Sequence, residues 1–510
     1  MAYNKRIKLL AQRSSGILLP IFSLPGRHGI GDIGESAELF INFLAESAQQ
    51  WWQILPCGPT DGAFAFSPYM SFSAFAGNPL LISLDKLARQ GLLSRKAINY
   101  QCGSEYSVDY PAVAAKKLPL LYTAWQEFQS SAADGILEEF SEQQPWVKNY
   151  SLFCALKKKY ALPWTSWPDA VKKRSRAALK KEREELAADI SCLLFEQFIF
   201  YSQWQELRAC AEKKNIRLIG DVPIYVAADS ADVWSNQNIY KLNKKTSLPA
   251  HVAGVPPDYF SKSGQLWGNP LYKWNTTCKE TKSALWLWWE KRLRHNFSLA
   301  NAVRIDHFRG FESCWSVPAT EKTAVNGKWV KGPGASFFEE MHKRLGNMEI
   351  IAEDLGIITP EVERLRDSIG APGMKILLFA FDGSADNSYL PHNHVKNCVV
   401  YTGTHDNDTA VGWYLNPAIP AEEKKRAKRY ANQNNKEAGI FHRDLLHLAY
   451  SSVADLVIIP MQDVLGFGND CRINTPGTVA DNWQWRCARR FISAELASWL
   501  KDEAVFFNRA

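Results

Sequence analysis

Eight short apolar runs recur along this chain of 510 residues, and most give way to polar or small residues at their C-terminal ends. They fall at 16–21, 51–56, 216–221, 302–306, 349–353, 374–379, 398–402 and 455–460. Near-continuous apolar runs of this length are what strands covered on both faces require. Between most of them the pattern changes to helical spacing, as at 34–49, 337–345 and 360–369. Thr359 and Pro360 suit the N-cap and first turn of the last of these. Eight strand–helix alternations predict a closed parallel (β/α)8 barrel, with a final helix over 485–510. The spacing is uneven, with about 160 residues between the second and third runs and about 80 between the third and fourth. Connections that long must carry structure of their own. The expectation is therefore one catalytic barrel over 1–510 with large, mostly helical insertions at about 58–212 and 225–295, forming subdomains over one face. Charged helical stretches at 80–90 and 177–200 populate the first insertion. A glycine-, proline- and aromatic-rich segment at 252–274 occupies the second.

Three of the runs deliver acids. They are Val-Arg-Ile-Asp-His-Phe-Arg at 303–309, Ile-Ile-Ala-Glu-Asp-Leu-Gly at 350–356 and Val-Val-Tyr-Thr-Gly-Thr-His-Asp-Asn-Asp at 399–408. They predict Asp306, Glu353 and Asp406 on one rim of the barrel, and Asp221 at the end of another run adds a fourth. Glycosidic chemistry asks for a nucleophile, a proton donor and a group that holds the sugar. Arg304 shares a strand face with Asp306, so it is expected to lower that carboxyl's pKa and keep it ionised. A structural Arg–Asp pair, or a metal site using Asp306 and His307, are the other readings of the same residues. Burial and the neighbouring Asp354 should raise Glu353, as a proton donor needs. Which of Glu353 and Asp354 faces the cleft is open from these residues. The polar string at 403–408 is either a turn of self-bonding side chains or a sugar-hydroxyl site in which His405 and Asp406 bond adjacent hydroxyls. Two aromatic, glycine-bearing loops, at 65–79 and 253–270, would supply stacking platforms and a cover against water. Trp286, Trp288 and Trp289 read as packing on a helix.

Composition narrows the partners. The apolar fraction of 46% supports a large core, and 19 tryptophans serve either sugar stacking or packing. The net charge of +7 is modest. The densest basic stretch, 171–183, runs into Glu182, Glu184 and Glu185 and reads as a solvated helix face. No aromatic-basic motif points to nucleic acid. No stretch has the form of a signal peptide or the length of a membrane helix. Ten scattered cysteines, with no Cys-x-x-Cys pair, fit reduced thiols in a cytoplasm better than zinc or a disulfide framework.

Together the motifs identify a resemblance. Ser-Pro-Tyr-Met-Ser-Phe-Ser-Ala-Phe-Ala-Gly-Asn-Pro at 67–79, Gly-Asp-Val-Pro-Ile-Tyr at 220–225, Val-Ala-Gly-Val-Pro-Pro-Asp-Tyr-Phe at 252–260, Trp-Gly-Asn-Pro-Leu-Tyr at 267–272 and the three acid motifs resemble those of the amylomaltases, or 4-α-glucanotransferases. The likeness covers nearly the whole chain. Looser versions of the acid motifs belong to α-amylase-type enzymes, and the proline-rich loop at 252–260 narrows the choice. The resemblance implies a (β/α)8 barrel with helical insertions and no C-terminal β-sandwich. It implies Asp306 as nucleophile, Glu353 as acid/base and Asp406 as the acid that orients the donor sugar. Tyr69, Ser67, Asp221, Gln265, Trp267, Arg304, His405 and Asn474 become substrate contacts. It implies α-1,4-glucans and maltooligosaccharides as partners and no metal or organic cofactor. A monomer or weak homodimer is expected. The competing functions are an α-amylase-like hydrolase and a non-catalytic glucan-binding barrel.

Overall fold

The computed structural model describes residues 12–130, 135–257, 261–431 and 440–510. Its strands, in chain order, are β1 (Ser14–Leu18), β2 (Trp51–Gln53), β3 (Arg217–Pro223), β4 (His251–Val255), β5 (Gln265–Pro270), β6 (Ala302–Asp306), β7 (Ser313–Pro318), β8 (Lys328–Lys331), β9 (Ile350–Ala352), β10 (Gly373–Ile376), β11 (Cys398–Tyr401) and β12 (Leu456–Pro460). Eight of them close a barrel in the order β1-β12-β11-β10-β9-β6-β3-β2, each parallel to its neighbours. These are the eight apolar runs. Every residue of β1, β11 and β12 is buried, as strands covered on both faces must be. Gly16 is required where β1 meets β2, because a Cβ there would lie 2.3 Å from the Trp51 carbonyl oxygen.

Amphipathic helices cover the barrel. Helix Glu35–Glu46 buries Ala37, Phe40, Ile41, Phe43 and Leu44, and Pro360 opens helix Pro360–Ser368 at its first turn. The tryptophan surplus goes largely to packing. Trp51, Trp52, Trp164, Trp204, Trp234 and Trp289 are all less than 2% exposed.

Some expected elements differ. The helical stretch at 177–200 is two helices, Arg176–Glu185 and Ala187–Lys213, separated at Leu186. The last helix is shorter than 485–510 and spans Ala494–Phe506, with Ser493 capping the Leu496 N–H. The first insertion is helical, as expected, whereas the second also carries strands. The glycine- and proline-rich segment forms β4 and β5, which join β7 and β8 in an antiparallel sheet of order β5-β4-β7-β8. Half of that sheet comes from residues after β6. A third excursion, between the fourth and fifth barrel strands, therefore contributes to the structure beside the rim.

Candidate active site

Asp306 is the last residue of β6, and Glu353 directly follows β9, its neighbour in the barrel. The chain turns sharply after Asp306 because His307 adopts a left-handed backbone, φ +53°. This conformation is uncommon for a residue with a side chain and concentrates at functional sites. It aims the His307 N–H at Glu353 Oε2, 2.7 Å away, while the Leu355 N–H donates to Oε1 at 3.0 Å. The Glu353 N–H in turn donates to Ile305 O at 3.1 Å. Backbone bonds thus fix Glu353 against the residues flanking Asp306. Asp354 points elsewhere, accepting from Arg366 at 2.6 Å and from the Met374 N–H at 2.7 Å. Glu353 thus faces the turn after Asp306, and Asp354 faces the helix behind it.

A chain of hydrogen bonds crosses the rim. Arg304 donates to Asp306 Oδ1 at 2.9 Å and to both oxygens of Asp221 at 2.9 and 2.8 Å. The register explains the second contact, since Asp221 lies directly opposite Arg304 across β3 and β6. Tyr69 donates its hydroxyl proton to Asp221 Oδ2 at 2.7 Å, and His405 Nε2 lies 2.9 Å from the same hydroxyl. The hydroxyl has one proton, so His405 Nε2 carries its own and donates it. His405 Nδ1 is then bare, and it has no partner among the described residues. Burial lowers the His405 pKa, which keeps the ring neutral. His405 Nε2 is also 3.4 Å from Asp406 Oδ2, and Asn474 donates to Asp406 Oδ1 at 2.6 Å. Asp306, Arg304, Asp221, Tyr69, His405, Asp406 and Asn474 form one connected rim.

The electrostatics separate the acids. Burial raises the Asp306 carboxyl to about 6, with Arg304 pulling the other way and the charges of Asp221 and Asp406 adding to the rise. Arg304 does pull this pKa down, as expected, but desolvation outweighs the cation and the net shift is upward. Glu353 rises further, to about 8, through burial, with the Asp306 charge adding to it and Arg304 opposing. Near neutrality Asp306 is ionised while Glu353 keeps its proton.

The remaining expected contacts divide in two. Gln265 accepts from the Trp267 indole N–H at 3.1 Å, and the Trp267 ring meets His307 edge-on at 4.8 Å. His307 therefore packs against an aromatic ring. Among the described residues, no group of three or more His, Cys, Asp or Glu side chains could hold a metal ion. Ser67 accepts from the Tyr69 N–H at 3.3 Å and shapes the turn that presents that tyrosine. Asp221 departs from expectation. Its side chain has no exposed surface and Arg304 only 4%. Asp221 is spent on Arg304 and Tyr69, so it supports the residues above it and is closed to a sugar. Asp258, Tyr259 and Phe260 of the second loop lie outside the described residues.

Two features escaped the sequence reading. Trp483, at φ +63°, packs 5.7 Å from the Tyr69 ring and 6.1 Å from His405. Arg472, two residues before Asn474, donates to the Asp406 carbonyl at 2.9 Å and pairs with Asp408. Its place two residues before Asn474 was the available signal.

Comparison with known proteins identifies the family. The 4-alpha-glucanotransferase family matches residues 19–492. A 4-alpha-glucanotransferase of Synechocystis sp. is 46% identical over 508 residues, covering 98% of each chain. That of Thermus thermophilus is 44% identical over 511 residues, covering 98% of this chain and 99% of the other. Among solved structures, the amylomaltase from Streptococcus agalactiae in complex with acarbose superposes with a TM-score of 0.93 at 38% identity, covering 98% of this chain and 100% of that one. An amylomaltase from Corynebacterium glutamicum, at 17% identity and a TM-score of 0.76, shares the fold over 99% of this chain and 77% of its own. The chain belongs to the 4-alpha-glucanotransferase family.

Proposed function

We propose that this 4-alpha-glucanotransferase works by double displacement, with Asp306 as nucleophile, Glu353 as acid/base and Asp406 as the acid that grips the donor sugar. Asp306 attacks C1 of an α-1,4-linked glucose while Glu353 gives its proton to the departing glycosidic oxygen. The C1–O bond breaks, a β-glucosyl ester forms on Asp306, and the shortened glucan leaves. Glu353, now a carboxylate, takes the proton from the 4-hydroxyl of an acceptor. That oxygen displaces Asp306 and restores an α-1,4 bond. Two inversions give net retention, a mechanism that requires the two carboxyl groups to lie about 5–5.5 Å apart. The observation that carries this assignment is geometric: Asp306 accepts from the Arg304 guanidinium at 2.9 Å, which favours its charged form, while backbone N–H groups hold Glu353 beside it and burial raises the Glu353 carboxyl. A nucleophile must be charged and its partner acid must not.

In this reading Arg304 holds Asp306 in place, and His405 and Asn474 hold Asp406. Tyr69 and Trp267 flank the sugar, with Ser67 and Gln265 positioning them and Asp221 beneath. α-1,4-Glucans and maltooligosaccharides are the substrates. No step calls for a metal or organic cofactor. Ten free cysteines support a reducing compartment, the cytoplasm, with the chain as a monomer or weak homodimer. Among the described residues no helix is long and apolar enough to cross a membrane.

Incubation with maltotriose tests the reading. Glucose and a ladder of longer oligosaccharides are expected. Shorter sugars alone would mark a hydrolase, and unchanged maltotriose a binding protein.

A further inference from the structure

Asp406 is not carried by a strand. It lies on the polar turn after β11, and 39% of its side chain is open to solvent. Two groups hold that turn. Buried Asp463 accepts from the Ala410 N–H at 2.6 Å and from the Thr402 hydroxyl, which fixes the ends of the turn. Arg472 holds the middle. Its guanidinium donates through Nη2 to the Asp406 carbonyl at 2.9 Å and to the Asn474 carbonyl at 3.1 Å, and through Nε to the same Asn474 carbonyl at 3.2 Å. Nη1 pairs with Asp408, whose other oxygen accepts from Asn416 at 3.1 Å. One planar group thus bonds the backbones of both Asp406 and Asn474, whose side chains meet at 2.6 Å. A planar fork of donors can set such an angle, whereas an ammonium at that point supplies charge without the geometry.

We propose that Arg472 is a positioning residue for the third acid. It fixes the Asp406–Asn474 pair in the orientation that meets the donor sugar at the transition state, and Asp408 orients the arginine in turn. Arg472 itself touches no substrate. The proposal rests on the assignment of Asp406 as the third acid.

The test compares Arg472→Met, Arg472→Lys, Asp408→Asn and Asp406→Asn on maltotriose and on α-maltosyl fluoride, whose leaving group needs no proton. Arg472→Met is expected to lower kcat about 100-fold while KM stays within about threefold, since preorganised groups act mainly on the transition state. Arg472→Lys should recover roughly a tenth of the activity, and Asp408→Asn should lose about tenfold. In Glu353→Gln the fluoride should restore the first step, read as a burst of fluoride release, but it should not do so in Arg472→Met, because ring orientation is needed whichever group departs. A raised KM with intact kcat, an unchanged kcat, or rescue of Arg472→Met by the fluoride would overturn the proposal. Should Arg472→Met not fold, Asp408→Asn carries the test, and an unchanged kcat in that variant is equally fatal. Full activity of Asp406→Asn would instead sink the underlying assignment and leave Arg472 without a role to support.

Discussion

The two sides of the catalytic rim are built by different means. Asp306 and Glu353 sit at or just after neighbouring barrel strands, and backbone N–H groups on the turn after β6 and the loop after β9 hold Glu353. Their relative placement is therefore a property of the barrel, which a point substitution hardly alters. Asp406 hangs on a turn beyond β11 and owes its orientation to the side chains of Asn474 and His405 and to Arg472. The comparison teaches where precision is made. The pair that makes and breaks the bond is set by the fold, while the acid that grips the sugar is set by a polar network that substitutions can loosen.

Variants should respect this division. Asp306→Asn and Glu353→Gln remove groups whose positions the backbone supplies. Both should lose at least about 10³-fold in kcat on maltotriose, with the melting temperature at pH 5 nearly unchanged. Comparable activity in either would break the comparison at its stronger end. Asp406→Asn should cost about 10²–10³-fold in kcat, the scale of removing one preorganised electrostatic group.

The pH profile sharpens the same contrast. The rate constant kcat/KM should rise as Asp306 ionises through about 6 and fall as Glu353 loses its proton near 8. Asp406→Asn, though slow, should keep both limbs, and loss of either limb would tie Asp406 to the proton chemistry.

Stability gives the smaller effects. Asp221→Asn leaves the buried Arg304 with Asp306 alone as a full charge partner, and should cost about 3 kcal/mol in a denaturant melt. Glu353 adds a pH-dependent contribution of known sign. Its folded pKa lies above the ordinary 4.5, so between about 4.5 and 8 the folded protein binds more protons than the unfolded chain. Stability from this group therefore falls as pH rises through that window. Glu353→Gln should melt above the parent at pH 8, with the gap closing toward pH 5.

Much of this was legible in the chain. The eight barrel strands announced themselves because burial on both faces leaves apolar runs that nothing else in the sequence imitates. The acids stood out because each interrupts such a run at its end. The small sheet was not legible. β8 is short and largely exposed, and β7 pairs with β4 across the whole of β6, so no local pattern records them. Glycine and proline at 252–274 read as a loop, yet the antiparallel pair β4–β5 accommodates them with a register shift between Val252 and Gly254. The split between Glu353 and Asp354 was open for the same reason, because the Arg366 that claims Asp354 lies on the following helix. The pull of Arg304 on Asp306 was legible because the two are adjacent in sequence, whereas the desolvation that outweighs it was not.

The central claim is that Asp306 forms the covalent bond to the sugar. Glu353→Gln incubated with α-maltosyl fluoride should accumulate the glycosyl ester, because the fluoride leaves without a proton and the base that would release the sugar is gone. Peptide mass spectrometry of the quenched protein should then find a maltosyl group on the peptide that contains Asp306. A maltosyl group on the peptides of Asp221 or Asp406, or no modified peptide while fluoride is still released, would contradict the account.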